Sequence, residues 1–167
     1  MRHIELITTG GTIEKTYDEM TGELANRKSV VERMLRRLKL METEVHHRAL
    51  LHKDSLLMTD ADRALIVKAV RAALSLSDGV VVLHGTDTLC VTGEALCKEL
   101  AGLDKPVVLT GAMRPYEMTR SDALQNLTES LLAATLLGPG VYAVAHGRAL
   151  KFPGVVKDRE IGSFRRG

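Results

Sequence analysis

The sequence predicts a three-layer α/β/α domain on a mainly parallel sheet, of the Rossmann or flavodoxin-like kind. Three observations predict it. Short apolar, β-branched runs alternate with longer stretches of helical period. The central runs "GVVVL" and "PVVL" are apolar at every position, as in strands covered on both faces. The length of 167 residues suits one core, so residues 1–167 read as a single domain without linker or internal repeat.

The elements follow in order. "HIELIT" (His3–Thr8) reads as the first strand. "SVVERMLRRLKL" (Ser29–Leu40) places apolar residues three and four apart behind a serine cap and reads as a helix. "EVHHRALL" (Glu44–Leu51) is a second strand. Residues Thr59–Ser77 begin with a threonine cap and an acidic first turn, then keep helical period. Gly79–Gly85 is a buried strand, and Leu89–Gly102 a helix with a glycine stop. Pro106–Gly111 is another strand. Ser121–Leu137 is a helix opened by Ser121 and Asp122, and Gly140–Gly147 is the last strong strand. The tail "SFRRG" (Ser163–Gly167) reads as frayed.

Composition narrows the function. A net charge of +2 argues against a nucleic-acid or acidic-membrane partner. No apolar run approaches the roughly 20 residues of a membrane span. The start has a strand pattern rather than a signal peptide, so the expected location is cytoplasmic. Cys90 and Cys97 lie seven apart on one predicted helix, too far to pair, and read as small core residues. His46 and His47 are adjacent in a strand and point to opposite faces. No metal-ligand spacing appears, and neither metal nor cofactor is expected.

In an open α/β sheet, ligands sit beyond the carboxyl ends of the strands. Those ends here carry "TTGGT" (Thr8–Thr12), "HKDS" with Asp54 and Ser55, "HGTDT" (His84–Thr88), "TGAMRP" (Thr110–Pro115) and "AHGRALKFPGVVKD" with Lys157. The first loop matches neither common phosphate-binding glycine pattern. Each loop also has a plainer reading. Gly10-Gly11 suits any tight turn, Asp87 or Thr88 suits a helix cap, Asp54-Ser55 suits a turn, and Lys157 suits a solvated surface. Together, hydroxyls, an acid and a lysine at one sheet edge suit acyl transfer by a hydroxyl nucleophile. Gly10 and Gly11 would let the backbone approach a ligand and aim N–H groups at a developing oxyanion. A threonine beside an aspartate, backed by a lysine, can move a proton. The carboxylate would orient a substrate amino group.

The motifs "TTGGTIEK", "HGTDTL", "LTGAMRP" and "RSDALQNL", in this order across nearly the whole chain, resemble the N-terminal domain of bacterial-type L-asparaginases. The resemblance implies hydrolysis of the side-chain amide of asparagine, and sometimes glutamine, through a threonine acyl-enzyme. It implies Thr12 as nucleophile, with Thr86, Asp87 and Lys157 as a second catalytic set. Gly11, Asp54, Ser55, Thr86 and Asp87 would contact substrate, Ser55 through its α-carboxylate. Glu14 to Gly22 would form a lid carrying Tyr17. Either Tyr17 or the Thr86–Lys157 pair could first take the proton from Thr12.

Two departures from the family pattern stand out. Leu56 occupies a position that is polar in many relatives. The C-terminal domain that lends an acidic residue to the site is not expected here, so the chain resembles the short, single-domain form. Asp87 would then carry more of the amine recognition. Alternatives are an amidase for glutamine or another amide, and a non-catalytic amino-acid-binding module. The apolar "SLLAATLL" (Ser130–Leu137) suggests a homo-oligomer, a dimer or tetramer.

Overall fold

The computed structural model describes residues 1–167. Six strands form the main sheet: β1 (Arg2–Gly10), β4 (Thr43–Lys53), β5 (Gly79–Leu83), β6 (Pro106–Thr110), β7 (Gly140–Ala145) and β8 (Arg148–Lys151). Their order is β4-β1-β5-β6-β7-β8, parallel except for the antiparallel β8. The helices are α1 (Val31–Leu35), α2 (Asp60–Leu74), α3 (Leu89–Glu99) and α4 (Ala123–Leu136). Two small hairpins complete the fold: β2 (Lys15–Tyr17) with β3 (Leu24–Asn26), and β9 (Val155–Asp158) with β10 (Ser163–Arg166).

Strand alternation divides the interior into two cores. Ile7, Val80, Val82, Val107 and Leu109 face α2 and α3, meeting Ile66, Val70, Leu89 and Leu96. Ile4, Leu6, Val81, Leu83 and Val108 face α1 and α4, meeting Val31, Met34, Leu127 and Leu131. Full burial of each such side chain stabilises the fold by about 1.5–3 kcal/mol. The chain places β4 on one side of β1 and then crosses to β5 on the other. The strand order therefore reverses at β1, and its carboxyl end is where an open sheet makes a ligand crevice.

Three expectations change. The helix expected over Ser29–Leu40 shortens to α1, because only Val30, Val31 and Met34 of that stretch are buried and the next turns tighten to i−3 bonds at Arg37 and Leu38. The last strand does not run to Gly147. It ends at Ala145, and His146-Gly147 (φ 52° and 76°) turns the chain into β8. The tail is not frayed: Ser163–Arg166 is β10, held by pairing with β9 and by burial of Phe164 among Leu89, Phe152 and Val155. No helix is long and apolar enough to cross a membrane.

Candidate active site

β1 ends at Gly10, and Gly11 turns at φ 82° into a single 3₁₀ turn that begins at Thr12. A Cβ on Gly11 would lie 2.5 Å from the Gly85 backbone. Only glycine lets the loop after β1 touch the loop after β5. A Cβ on Gly85 would lie 2.6 Å from the Ser55 side chain. Three strand-end loops thus meet, Gly11 on the Gly85 backbone and Gly85 on the Ser55 side chain, with Thr12 next to the junction. The Gly10 N–H donates to Glu14 Oε2 (3.2 Å) and the Gly11 N–H to Lys53 O (2.9 Å). This corrects the expectation that these two N–H groups aim into the site. The N–H groups of Thr12, Gly85, Thr86 and Asp87, by contrast, donate to nothing in the chain.

Ser55 is buried. Its Oγ accepts the Thr88 N–H (3.2 Å), and its carbonyl accepts the Thr88 hydroxyl (2.9 Å). Thr88 sits at the start of α3, but its hydroxyl bonds Ser55 rather than capping the helix. Lys157, on β9, donates to Thr86 Oγ1 and to Asp87 Oδ1, each at 2.8 Å. The Lys157 bond holds the Asp87 carboxyl below the usual carboxylate range, so it is ionised at neutral pH. Asp54 is likewise lowered, first by the Leu56 N–H and then by Lys15, whose Nζ lies 3.0 Å from Oδ2. No three His, Cys, Asp or Glu side chains converge as a metal site.

A family model for the N-terminal region of asparaginase matches residues 3–159. The chain belongs to the asparaginase family. It is 32% identical to an L-asparaginase of Thermococcus kodakarensis over 157 residues, covering 94% of this chain and 48% of that one. It is 37% identical to one of the subunits of the glutamyl-tRNA(Gln) amidotransferase of Pyrococcus abyssi over 146 residues, covering 86% of this chain and 33% of that one. The solved thermostable L-asparaginase from Thermococcus kodakarensis superposes with a TM-score of 0.90 at 32% identity, over 98% of this chain and 51% of its own. The chain spans about half the length of this relative.

Within this asparaginase-type domain, Thr86, Asp87 and Lys157 are directly bonded, and Gly11 and Ser55 build the loop junction beside them. Tyr17 stands apart: it is 57% exposed on β2 and its hydroxyl bonds nothing in the chain. The expected lid also starts later than Glu14. Glu14 is buried, accepting bonds from Gly10 N–H and the Ser29 hydroxyl. Burial pushes its carboxyl upward in pKa against those bonds. The exposed part of the segment is the β2–β3 hairpin, fastened at its base where Asn26 Nδ2 donates to Gly11 O (2.7 Å).

Sequence reasoning assigns no role to several residues around the site. Arg159 donates from Nη2 to Asp87 Oδ1 at 2.8 Å. Its position depends on the β9–β10 hairpin, which hydrophobic pattern does not announce. His84 is buried, with Nδ1 2.8 Å from Gly85 O and Nε2 2.7 Å from Thr92 Oγ1. The carbonyl requires a proton on Nδ1, so Nε2 accepts the threonine proton. His146 lies between Asp122 Oδ2 (2.7 Å, at Nε2) and Ser163 Oγ (2.7 Å, at Nδ1), tying α4 to β10. Ser163 is buried, so this Ser-His-Asp line is a clasp on the hairpin that carries Lys157.

Proposed function

We propose that the chain is an amidohydrolase that converts L-asparagine to L-aspartate and ammonia through an acyl-threonine intermediate at Thr12. The bonded set Thr86–Lys157–Asp87, on loops packed against the Thr12 turn, is the observation that carries this reading. In this mechanism Thr12 Oγ attacks the side-chain amide carbon and gives up its proton to the Thr86–Lys157 pair, which carries it to the amide nitrogen as the C–N bond breaks. The oxyanion forms against the free N–H groups of Thr12 and Asp87. Lys157 donates to Thr86 Oγ1, which frees the Thr86 hydroxyl proton to point at the reacting groups. Thr86 relays the proton that the leaving ammonia requires, and then helps deprotonate the water that cleaves the acyl ester. Asp54, Ser55 and Asp87 belong to the wall that receives the substrate's backbone groups, and Tyr17 closes over it with the hairpin.

The reading includes a homo-oligomer, a dimer or tetramer, and a cytoplasmic enzyme without cofactor. A second amide substrate, glutamine or a glutaminyl group, is supported by the 37% identity to the amidotransferase chain. Ammonia release from L-asparagine and L-glutamine by the purified chain tests both. Asparagine turnover that falls by several orders of magnitude in Thr12→Val, with L-aspartate binding retained, is the expected result. A Thr12→Val variant that keeps most of its activity removes Thr12 as the nucleophile.

A further inference from the structure

We propose that Arg159 tunes substrate specificity: by sharing Asp87 it loosens the hold on a free α-ammonium, so that L-asparagine gains less over carboxylate-bearing amides that lack one. The inference rests on the amidohydrolase reading of this site.

Asp87 Oδ1 receives two cations, Lys157 Nζ and Arg159 Nη2, both at 2.8 Å. The second carboxylate, Asp54, lies close enough to feel the charge of Asp87 and is already paired with Lys15 at 3.0 Å. Three cations therefore stand against two carboxylates. An ammonium that approaches Asp87 meets a carboxylate already neutralised, with a like charge a few ångströms away. Such a charge, its head largely in solvent, weakens binding by roughly a few-fold. A group without that charge escapes the penalty. An anionic group gains instead, because Arg159 spends only one of its N–H donors, and the rest of its fork is free to grip a carboxylate.

The two cations differ in commitment. The Lys157 side chain is 15% exposed, whereas that of Arg159 is 72% exposed. An exposed ion pair contributes little to stability, so Arg159 is not required to hold the fold. Its backbone is nevertheless set. Asp158 Oδ1 accepts the N–H of Glu160 (2.9 Å) and of Ile161 (3.3 Å), and its Oδ2 accepts Arg165 Nε (2.7 Å). The turn after β9 thus presents Arg159 at a fixed root with a solvent-exposed head, directly on Asp87.

The test compares L-asparagine with succinamate, the same amide without the α-amino group, in the wild type, Arg159→Gln and Arg159→Lys. Arg159→Gln should raise kcat/KM for L-asparagine relative to succinamate by roughly threefold to fivefold, through a lower KM for L-asparagine. Arg159→Lys keeps the charge and should keep the wild-type ratio. An equal change on both substrates would reduce Arg159 to a surface ion pair and overturn the proposal. Calorimetric affinities for L-aspartate and succinate give the same ratio without turnover. If neither amide is hydrolysed but Arg159→Gln shifts the diacid preference toward L-aspartate, the amidohydrolase reading fails and this one stands. If amides are hydrolysed and the preference does not move, the reverse holds. Failure of both diacids to bind either protein also overturns the proposal.

Discussion

Thr12 owes its position to two neighbours without side chains, Gly11 and Gly85, whose backbones touch where any Cβ would collide. Thr86 and Lys157 depend on each other more directly, through one 2.8 Å bond. Each should lower turnover when removed, as Thr86→Val or Lys157→Met, more than it weakens L-aspartate binding. Their double variant should cost much less than the sum of the singles. Additive losses in kcat would separate them into independent groups. His84 acts on stability instead. Burial pushes its pKa down to about 4 from an ordinary 6.5, outweighing the Gly85 carbonyl. Between those two values the unfolded chain binds the proton and the folded chain does not, so stability rises with pH across the window. Acidification from pH 6.5 to 4 should remove about 3 kcal/mol through this group, seen as a falling urea midpoint. Glu14, raised by burial, acts in the opposite sense. His84→Asn should abolish most of the slope; an unchanged slope would assign it elsewhere.

The elements differ in how far the sequence exposes them. β5, β6 and β7 are buried along nearly their whole length, so continuous β-branched runs announce them. The hairpins β2–β3 and β9–β10, and the edge strand β8, are short and only partly buried, and tertiary pairing rather than pattern decides them. The same division applies to the site. Thr12, Thr86 and Asp87 are legible because they follow strong strands. Arg159 is not, because an exposed arginine in an unannounced hairpin looks like any solvated charge. The segment expected to act as a lid is legible as polar, but the burial of Glu14 at its start is not, because composition alone treats an acid as surface. The hairpin tip, Asp18–Glu23, is tied at its base to the Thr12 turn through Asn26 and Gly11. Saturating L-aspartate should slow hydrogen exchange across residues 15–26, and Tyr17→Phe should reduce turnover. Unchanged exchange in the hairpin at saturation would count against a closing lid.

The whole molecule leaves one apolar face open. On α4, Leu132 is 59% and Leu136 is 73% exposed, on the helix face opposite the buried Leu127, Leu131 and Ala134. With Ala133, Val144 and Ala149 they line a groove of about 250 Å³ beside the edge strand β8. Exposed leucines at a groove, next to an unpaired strand edge, mark an interface more often than a free surface. A two-fold arrangement is the simplest closure, because each copy offers the same groove and the same leucines. A dimer, or a tetramer of dimers, should therefore appear in light scattering at micromolar concentration. Leu132→Glu with Leu136→Glu should shift the mass to that of the monomer. Exposed positions tolerate such changes within about 0.5 kcal/mol, so circular dichroism should stay that of the folded protein. A wild-type chain that scatters as a monomer and is fully active at the same concentration would show that this face is not an interface between copies.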